Sequence, residues 1–348
     1  MTTATEPAAQ AARTRWGAVV AVSLGIVLAA LDMSVVAVVL PDLGVTFAVT
    51  ADSTQWVVLA YLLPLVALSI PAGRWMDAAG PLPAFLLAVA GFGVTSALIA
   101  AAASLPLLLA GRALQGLFGA LIGVVGMPVV AGAVRPEHRA RAMSIVLTLI
   151  PLAGVAGPAL GGMLADAFGW RSIFLINLPV VLAASAMAVR TIPRRSPTGS
   201  GLPRPSASLL LESVTLGVAA AALFLALDTA TRPAGSGYAL AAVLAVVAAA
   251  AVIGWTRLRG SRAVTGLLAR RELALPMLAL PMVTAGIGGL NFLVPYLLAD
   301  VTDAGPRVIG FTLLALAAGM ALFSPPAGWL ADHIGHRPVT MAGAVVVL

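Results

Sequence analysis

The chain has 348 residues, 61% of them hydrophobic and 9% charged, and its mean hydropathy is +1.05. Soluble domains carry about 25% charged residues, so this composition excludes a soluble globular protein and indicates a polytopic membrane protein. Cysteine and lysine are both absent, which excludes disulfides, thiolate metal sites and a P-loop ATPase within this chain.

Taken in chain order, apolar runs punctuated by Gly, Pro and charges predict membrane helices at 17–40, 55–73, 82–103, 105–130, 141–165, 171–190, 209–228, 237–256, 273–298, 308–327 and 338–348. That is ten complete spans and an eleventh cut short at Leu348. The first run is far longer than the 7–15 residues of a secretory h-region, so a cleavable signal is not expected. The formal net charge of +7 comes from arginines spread over short loops, not from a single patch. Nucleic acid is therefore not an expected partner. With the N-terminus in the cytoplasm, sixteen of the 20 arginines fall in cytoplasmic segments. Arg171, Arg232 and Arg307 fall outside, and Arg112 lies within the fourth span. Such a bias predicts a multi-pass protein with a cytoplasmic N-terminus.

The stretch AGRWMDAAGP (72–81) recurs as AGWLADHIGH (327–336), with Ala, Gly, Asp and Gly in register. The copies lie 255 residues and eight spans apart. The simplest arrangement is a six-helix half over 1–190 and a second unit over 191–262. That unit holds a cytoplasmic linker and two inserted helices. The start of a second transport half then follows over 263–348. Internal repeats of this kind are typical of secondary transporters. On that plan the second half lacks most of its helices, and the chain is expected to be a fragment of a longer protein.

Several motifs bear on the family. LDMSVVAVVLP (31–41) resembles the first-helix motif of the major facilitator superfamily, in its fourteen-helix drug:proton antiporter branch. Ser34 and Ala37 replace the usual Thr and Asn. GRALQGLFGAL (111–121) is similar to the fourth-helix R-x-x-Q-G pattern, and GVAGPALGG (154–162) to the fifth-helix antiporter motif. GWRSIFLINLP (169–179) resembles the start of the sixth helix, and GWLADHIGHR (328–337) the loop motif. The resemblance covers the whole chain. It implies an all-α major facilitator fold with two extra central helices.

It also implies gating roles for the loop residues Gly73, Asp77 and Gly80 and for their counterparts Gly328, Asp332, Gly335 and Arg337. The first loop departs from the family, because Ala78, Pro81 and Leu82 stand where basic residues are usual. Gating there is expected to be weaker or differently wired.

A carboxylate inside a span costs roughly 2.5–3.5 kcal/mol on insertion scales and generally finds a partner facing a cavity. Asp32 and Arg112 fall at similar depths of the first and fourth spans, since both lie a few residues outward of the middle at ~1.5 Å per residue. Two readings follow. Arg112 holds Asp32 ionised until a proton or substrate displaces it, or the pair is static and only orients two helices. Gln115, at i+3 from Arg112, shares its face and is available to hold the guanidinium, touch substrate or bond another helix.

Gly116, Gly119, Gly123 and Gly126 form a small-residue stripe on the fourth span, and Gly154, Gly157, Gly161 and Gly162 form one on the fifth. Both suit close helix packing. Pro158 is expected to kink the fifth span. Asn177 and Asn291 are expected to be packing amides or substrate contacts. Trp56 suits the outer interface, and Tyr61 is a candidate to face the cavity. His333 and His336 have no third ligand nearby, so no metal is expected. No cofactor or enzymatic motif is found.

The resemblance implies a proton-coupled efflux transporter. It would export small amphipathic or cationic compounds, drugs or antibiotics, across a bacterial cytoplasmic membrane by alternating access. The expected partners are a small-molecule substrate, protons and the lipid bilayer, with a monomer expected if the chain is full length. The other reading is a truncated or partner-dependent membrane protein without autonomous transport.

Overall fold

A computed structural model describes residues 14–193, 201–231 and 237–268, with isolated helical positions between 312 and 339. Every regular element among the described residues is helical. The predicted first span is α1 (Trp16–Val38), followed by a short outer helix α2 (Leu40–Phe47). The second to fifth spans are α3 (Ala51–Asp77), α4 (Pro81–Ala100), α5 (Leu105–Ala133) and α6 (Arg139–Phe168). The sixth is split at Ile176 into α7 (Ser172–Leu175) and α8 (Asn177–Thr191). The two further spans are α9 (Ala207–Thr231) and α10 (Gly237–Arg257), with α11 (Arg262–Leu268) after them. Among the described residues seven helices are long and apolar enough to cross a membrane, and an eighth span arises if bent α6 is counted as one. The spans expected at 273–298, 308–327 and 338–348 fall outside the continuously described residues.

Two differences from the predicted boundaries matter. The second span does not stop at residue 73. Its helix runs on through Arg74, Trp75 and Met76 to Asp77, so Arg74 is helical instead of lying in a loop. The first span ends at Val38 and the chain turns at Val39 into α2, with Pro41 in that helix's first turn. Proline is well placed there because it has no N–H to leave unpaired.

Packing follows the small residues. Helix α1 lies against α5, α6 and α8, α3 and α4 against α5, and α9 against α3 and α10. A Cβ added at Gly157 would overlap the Ser34 hydroxyl, and one at Gly161 would stand 2.7 Å from Val35 Cγ1. These two glycines of α6 therefore let it approach α1 beside Asp32. A Cβ at Gly116 would overlap the Tyr61 carbonyl, and one at Gly126 would press on Ile26 and Val22. Gly123 and Gly154 face open space, so each stripe is only partly used for contact.

Helix α6 bends by 48° between Gly154 and Ala156. Pro158 supplies the reason. Its ring removes the N–H that would pair with the carbonyl of Gly154 and crowds that carbonyl, so the helix opens one turn before the proline. Gly169 closes α6 with a positive φ of 76°, its N–H donating to the Ala165 carbonyl.

The packed apolar side chains form two clusters. One gathers Val22, Phe85, Phe92, Ile122 and Val130, and the other gathers Val36, Leu43, Ile99, Leu108 and Phe174. Along α1, α4 and α5 a thin polar layer separates them. Replacing Gly161 with Leu forces four carbons into the α1–α6 contact. A destabilisation of about 1–3 kcal/mol is expected from over-packing, against little change for Gly154→Leu. Thermal unfolding of the two variants in detergent checks this.

Candidate functional site

The polar layer is centred on Asp32. Its Oδ2 accepts a hydrogen bond from the Arg112 guanidinium at 2.5 Å. Its Oδ1 accepts from the Gln115 and Asn177 amides, each at 3.1 Å. Both amides also donate to the Ser96 hydroxyl, at 2.8 and 3.1 Å, and Ser96 in turn donates to the Phe92 carbonyl at 2.9 Å. The result is a closed ring from Asp32 through Gln115, Ser96 and Asn177 back to Asp32. Four helices contribute: α1, α4, α5 and α8. Each of the five side chains is at most 4% exposed.

Arg112 is held independently of Asp32. Its Nε donates to the Val57 carbonyl at 3.1 Å, and the nitrogen that meets Asp32 also reaches Gln115 Oε1 at 2.6 Å. The guanidinium lies 4.4 Å from the Tyr61 ring centroid and 5.9 Å from that of Phe174, within the range of cation–π attraction. Tyr61 is buried against the groove left by Gly116 and Gly119. It stacks edge-on against Phe92 at 6.5 Å, and its hydroxyl has no hydrogen-bond partner among the described residues.

Most of the residues expected at the site from sequence are thus brought together. Asp32 and Arg112 pair, Gln115 bridges them on the Arg112 face, and Asn177 is a satisfied amide whose partner is Asp32 itself. Ser96 was missed. One serine in an apolar span carries no signal of its own, and only the fold brings α4 to this layer. Among the loop residues, Gly73 lies in α3, Asp77 ends it, and the Gly80 N–H donates to the Gly201 carbonyl at 2.9 Å. Gly328, Asp332, Gly335 and Arg337, with Asn291, His333 and His336, lie outside the described residues. Among the described residues no group of three or more His, Cys, Asp or Glu is suited to hold a metal ion.

A bundle of membrane helices around one buried, hydrogen-bonded carboxylate–guanidinium pair defines a polytopic membrane protein with a polar centre inside the bilayer. The sequence matches the Major Facilitator Superfamily over residues 22–290, and the chain belongs to that family of membrane transporters; it is not an enzyme. Family members bind small-molecule substrates and reside in a lipid bilayer. The chain is 31% identical over 339 residues to the tetracenomycin C resistance and export protein of Streptomyces glaucescens, covering 95% of this chain and 61% of that protein. It is 30% identical over 271 residues to a multidrug resistance protein B homolog of Mycobacterium tuberculosis, covering 76% of this chain and 49% of the relative. The chain therefore spans about half to three fifths of the length of these relatives.

Among solved structures, a bacterial homolog of the human lysosomal transporter Spinster, inward-facing and occupied, superposes with a TM-score of 0.51 at 21% identity. That match covers 90% of this chain and 72% of the other. A D-xylose–proton symporter gives 0.50 at 15% identity, over 88% and 80%. These likenesses concern the fold.

Removing one member of a buried ion pair strands the other, at a cost of roughly 3–5 kcal/mol. Arg112→Ala is expected to destabilise the protein by about that amount. The double variant Arg112→Ala/Asp32→Asn is expected to recover most of the loss, because no unpaired carboxylate is left. A double-mutant cycle by thermal unfolding in lipid nanodiscs measures it.

Proposed function

We propose that this chain works in proton-coupled efflux, exporting small amphipathic or cationic compounds by alternating access. The observation that carries the reading is the Asp32–Arg112 pair, buried within the membrane spans a few residues outward of their middle and joined to a ring of amides. Relatives named for multidrug resistance and for tetracenomycin C export support the reading that drugs or antibiotics are the cargo.

The chemistry follows from the lone pairs. Oδ1 accepts two amide hydrogens and is saturated, whereas Oδ2 accepts only Arg112. A proton therefore enters at Oδ2 and displaces the guanidinium. Once displaced, Arg112 keeps the Val57 carbonyl, Gln115 Oε1 and the Tyr61 face, which keeps the protonated state accessible. A cationic substrate competes for the same oxygen, so proton and substrate exclude one another, as antiport requires. The bend at Gly154 in α6, beside the close contact with α1, is the element that would carry a change at Asp32 into helix movement.

The arrangement continues the sequence-based plan. Residues 1–190 act as one transport half, 191–262 as linker and inserted helices, and 263–348 as the start of the second half. Gly73, Asp77 and Gly80 shape the cytoplasmic gate. The arginine bias supports a cytoplasmic N-terminus in the bacterial inner membrane, and the unit is a monomer.

The test is Asp32→Asn in the full-length protein, reconstituted in proteoliposomes with a pH dye inside. Substrate-driven proton movement is expected to fall at least tenfold, with membrane insertion retained because Asn still accepts from Gln115 and Asn177. Coupled flux equal to that of the unaltered protein would sink the proposal.

A further inference from the structure

A second buried carboxylate lies far from the Asp32 site. Glu212 sits in the first turns of α9 and is 1% exposed. Its carboxylate pairs with the guanidinium of Arg74, near the end of α3. Gly260, in the turn after α10, closes the same spot. A Cβ there would overlap both Glu212 Oε1 and Arg74, so only glycine lets that turn cover the pair. The polypeptide entering α9 is tied to the same end of α3. Trp75 Nε1 donates to the Pro203 carbonyl at 2.9 Å, and the Gly80 N–H to the Gly201 carbonyl at 2.9 Å.

A buried carboxylate in an apolar helix is expensive unless paired, and here its partner comes from the stretch AGRWMDAAGP. Arg74 is the one basic residue within that stretch, and the structure commits it to α9.

We infer that Arg74 and Glu212 form a latch that fixes the helix pair α9–α10 to α3, so that the pair moves as one body with the first six spans. Arg74 and Glu212 are positioning residues. Neither touches the Asp32 ring, and their effect is to hold two blocks of helix in register at this end of the bundle. The consequence for transport rests on the proposed function above. With its arginine held by α9, the loop ending at Gly80 gates together with the inserted helices and not by itself.

The chain has no cysteine, so a label pair can be placed without removing native residues. Spin labels at Leu182 on α8 and Val246 on α10, both exposed, report the distance between the blocks in the full-length protein in nanodiscs. A single narrow distribution is expected for the otherwise unaltered chain. Glu212→Gln and Arg74→Gln are each expected to broaden it at least twofold, and the exchange Arg74→Glu/Glu212→Arg to narrow it again. Single variants with unchanged width would overturn the latch, and so would an exchanged pair that inserts normally yet stays broad. If the exchanged pair fails to insert, the near-isosteric Glu212→Gln decides: broadening supports the latch and unchanged width overturns it. The distance measurement does not depend on transport, so its failure is separable from failure of the proton-coupling proposal. In a transporting preparation, Glu212→Gln is expected to lower the maximal rate several-fold with KM unchanged, since it touches no substrate.

Discussion

The buried charge of Asp32 is the constraint on which the rest of this half depends. A carboxylate held in a helix bundle within the bilayer has no water to satisfy it, so every hydrogen bond must come from protein. The bundle meets that demand with a guanidinium and an amide from α5 and an amide from α8, and a hydroxyl from α4 accepts from both amides and holds them in place. Four helices must keep register to within hydrogen-bond tolerance for the ring to close. The apolar clusters on either side supply the packing that holds them there. The glycines at 116, 157 and 161 remove the side chains that would hold the backbones apart.

The same constraint makes the site a candidate for chemistry. The ring fills Oδ1 of Asp32 with two amide hydrogens and leaves acceptor capacity only at Oδ2, so any added group must compete with the Arg112 contact. The asymmetry between the two oxygens of Asp32 directs an added proton to the Arg112 side. Arg112 has alternative acceptors and an aromatic face in place. The pair is therefore better suited to exchange than an isolated ion pair, whose arginine would be stranded when the carboxylate is neutralised.

A second charged contact works at the other end of the bundle by the same physics. Glu212 and Arg74 join helices that belong to different stretches of the chain, and the segment from Gly201 to Pro203 binds back to the end of α3. The linker is thus more than a solvated tether over this part. The loop's shortage of basic residues relative to its family has a structural counterpart, since the arginine it does carry is used between helices.

Much of this was legible in the residues themselves. A span length of ~20 residues follows from bilayer thickness, so the seven spans between Trp16 and Arg257, or eight with bent α6, were readable from apolar runs, and the bend of α6 from Pro158. Asp32 and Arg112 could be matched because depth along a helix is linear in residue number. Gln115 followed from i+3 spacing. Ser96 could not be found this way, and Asn177 could not be assigned its partner. Neither residue type is unusual in a span, and which helix faces which is decided by packing. Glu212 did carry a signal, since an acid at the start of an apolar run needs a partner as much as Asp32 does. Its partner lies 138 residues earlier, beyond any local rule. The membrane class, the helices, the family motifs and the charges in need of partners can be read residue by residue, because they depend on local composition and on the cost of burying charge. Which groups answer those charges emerges from packing, because hydrogen bonds across helices depend on rotation and approach. Those are set by small residues acting together over the whole bundle.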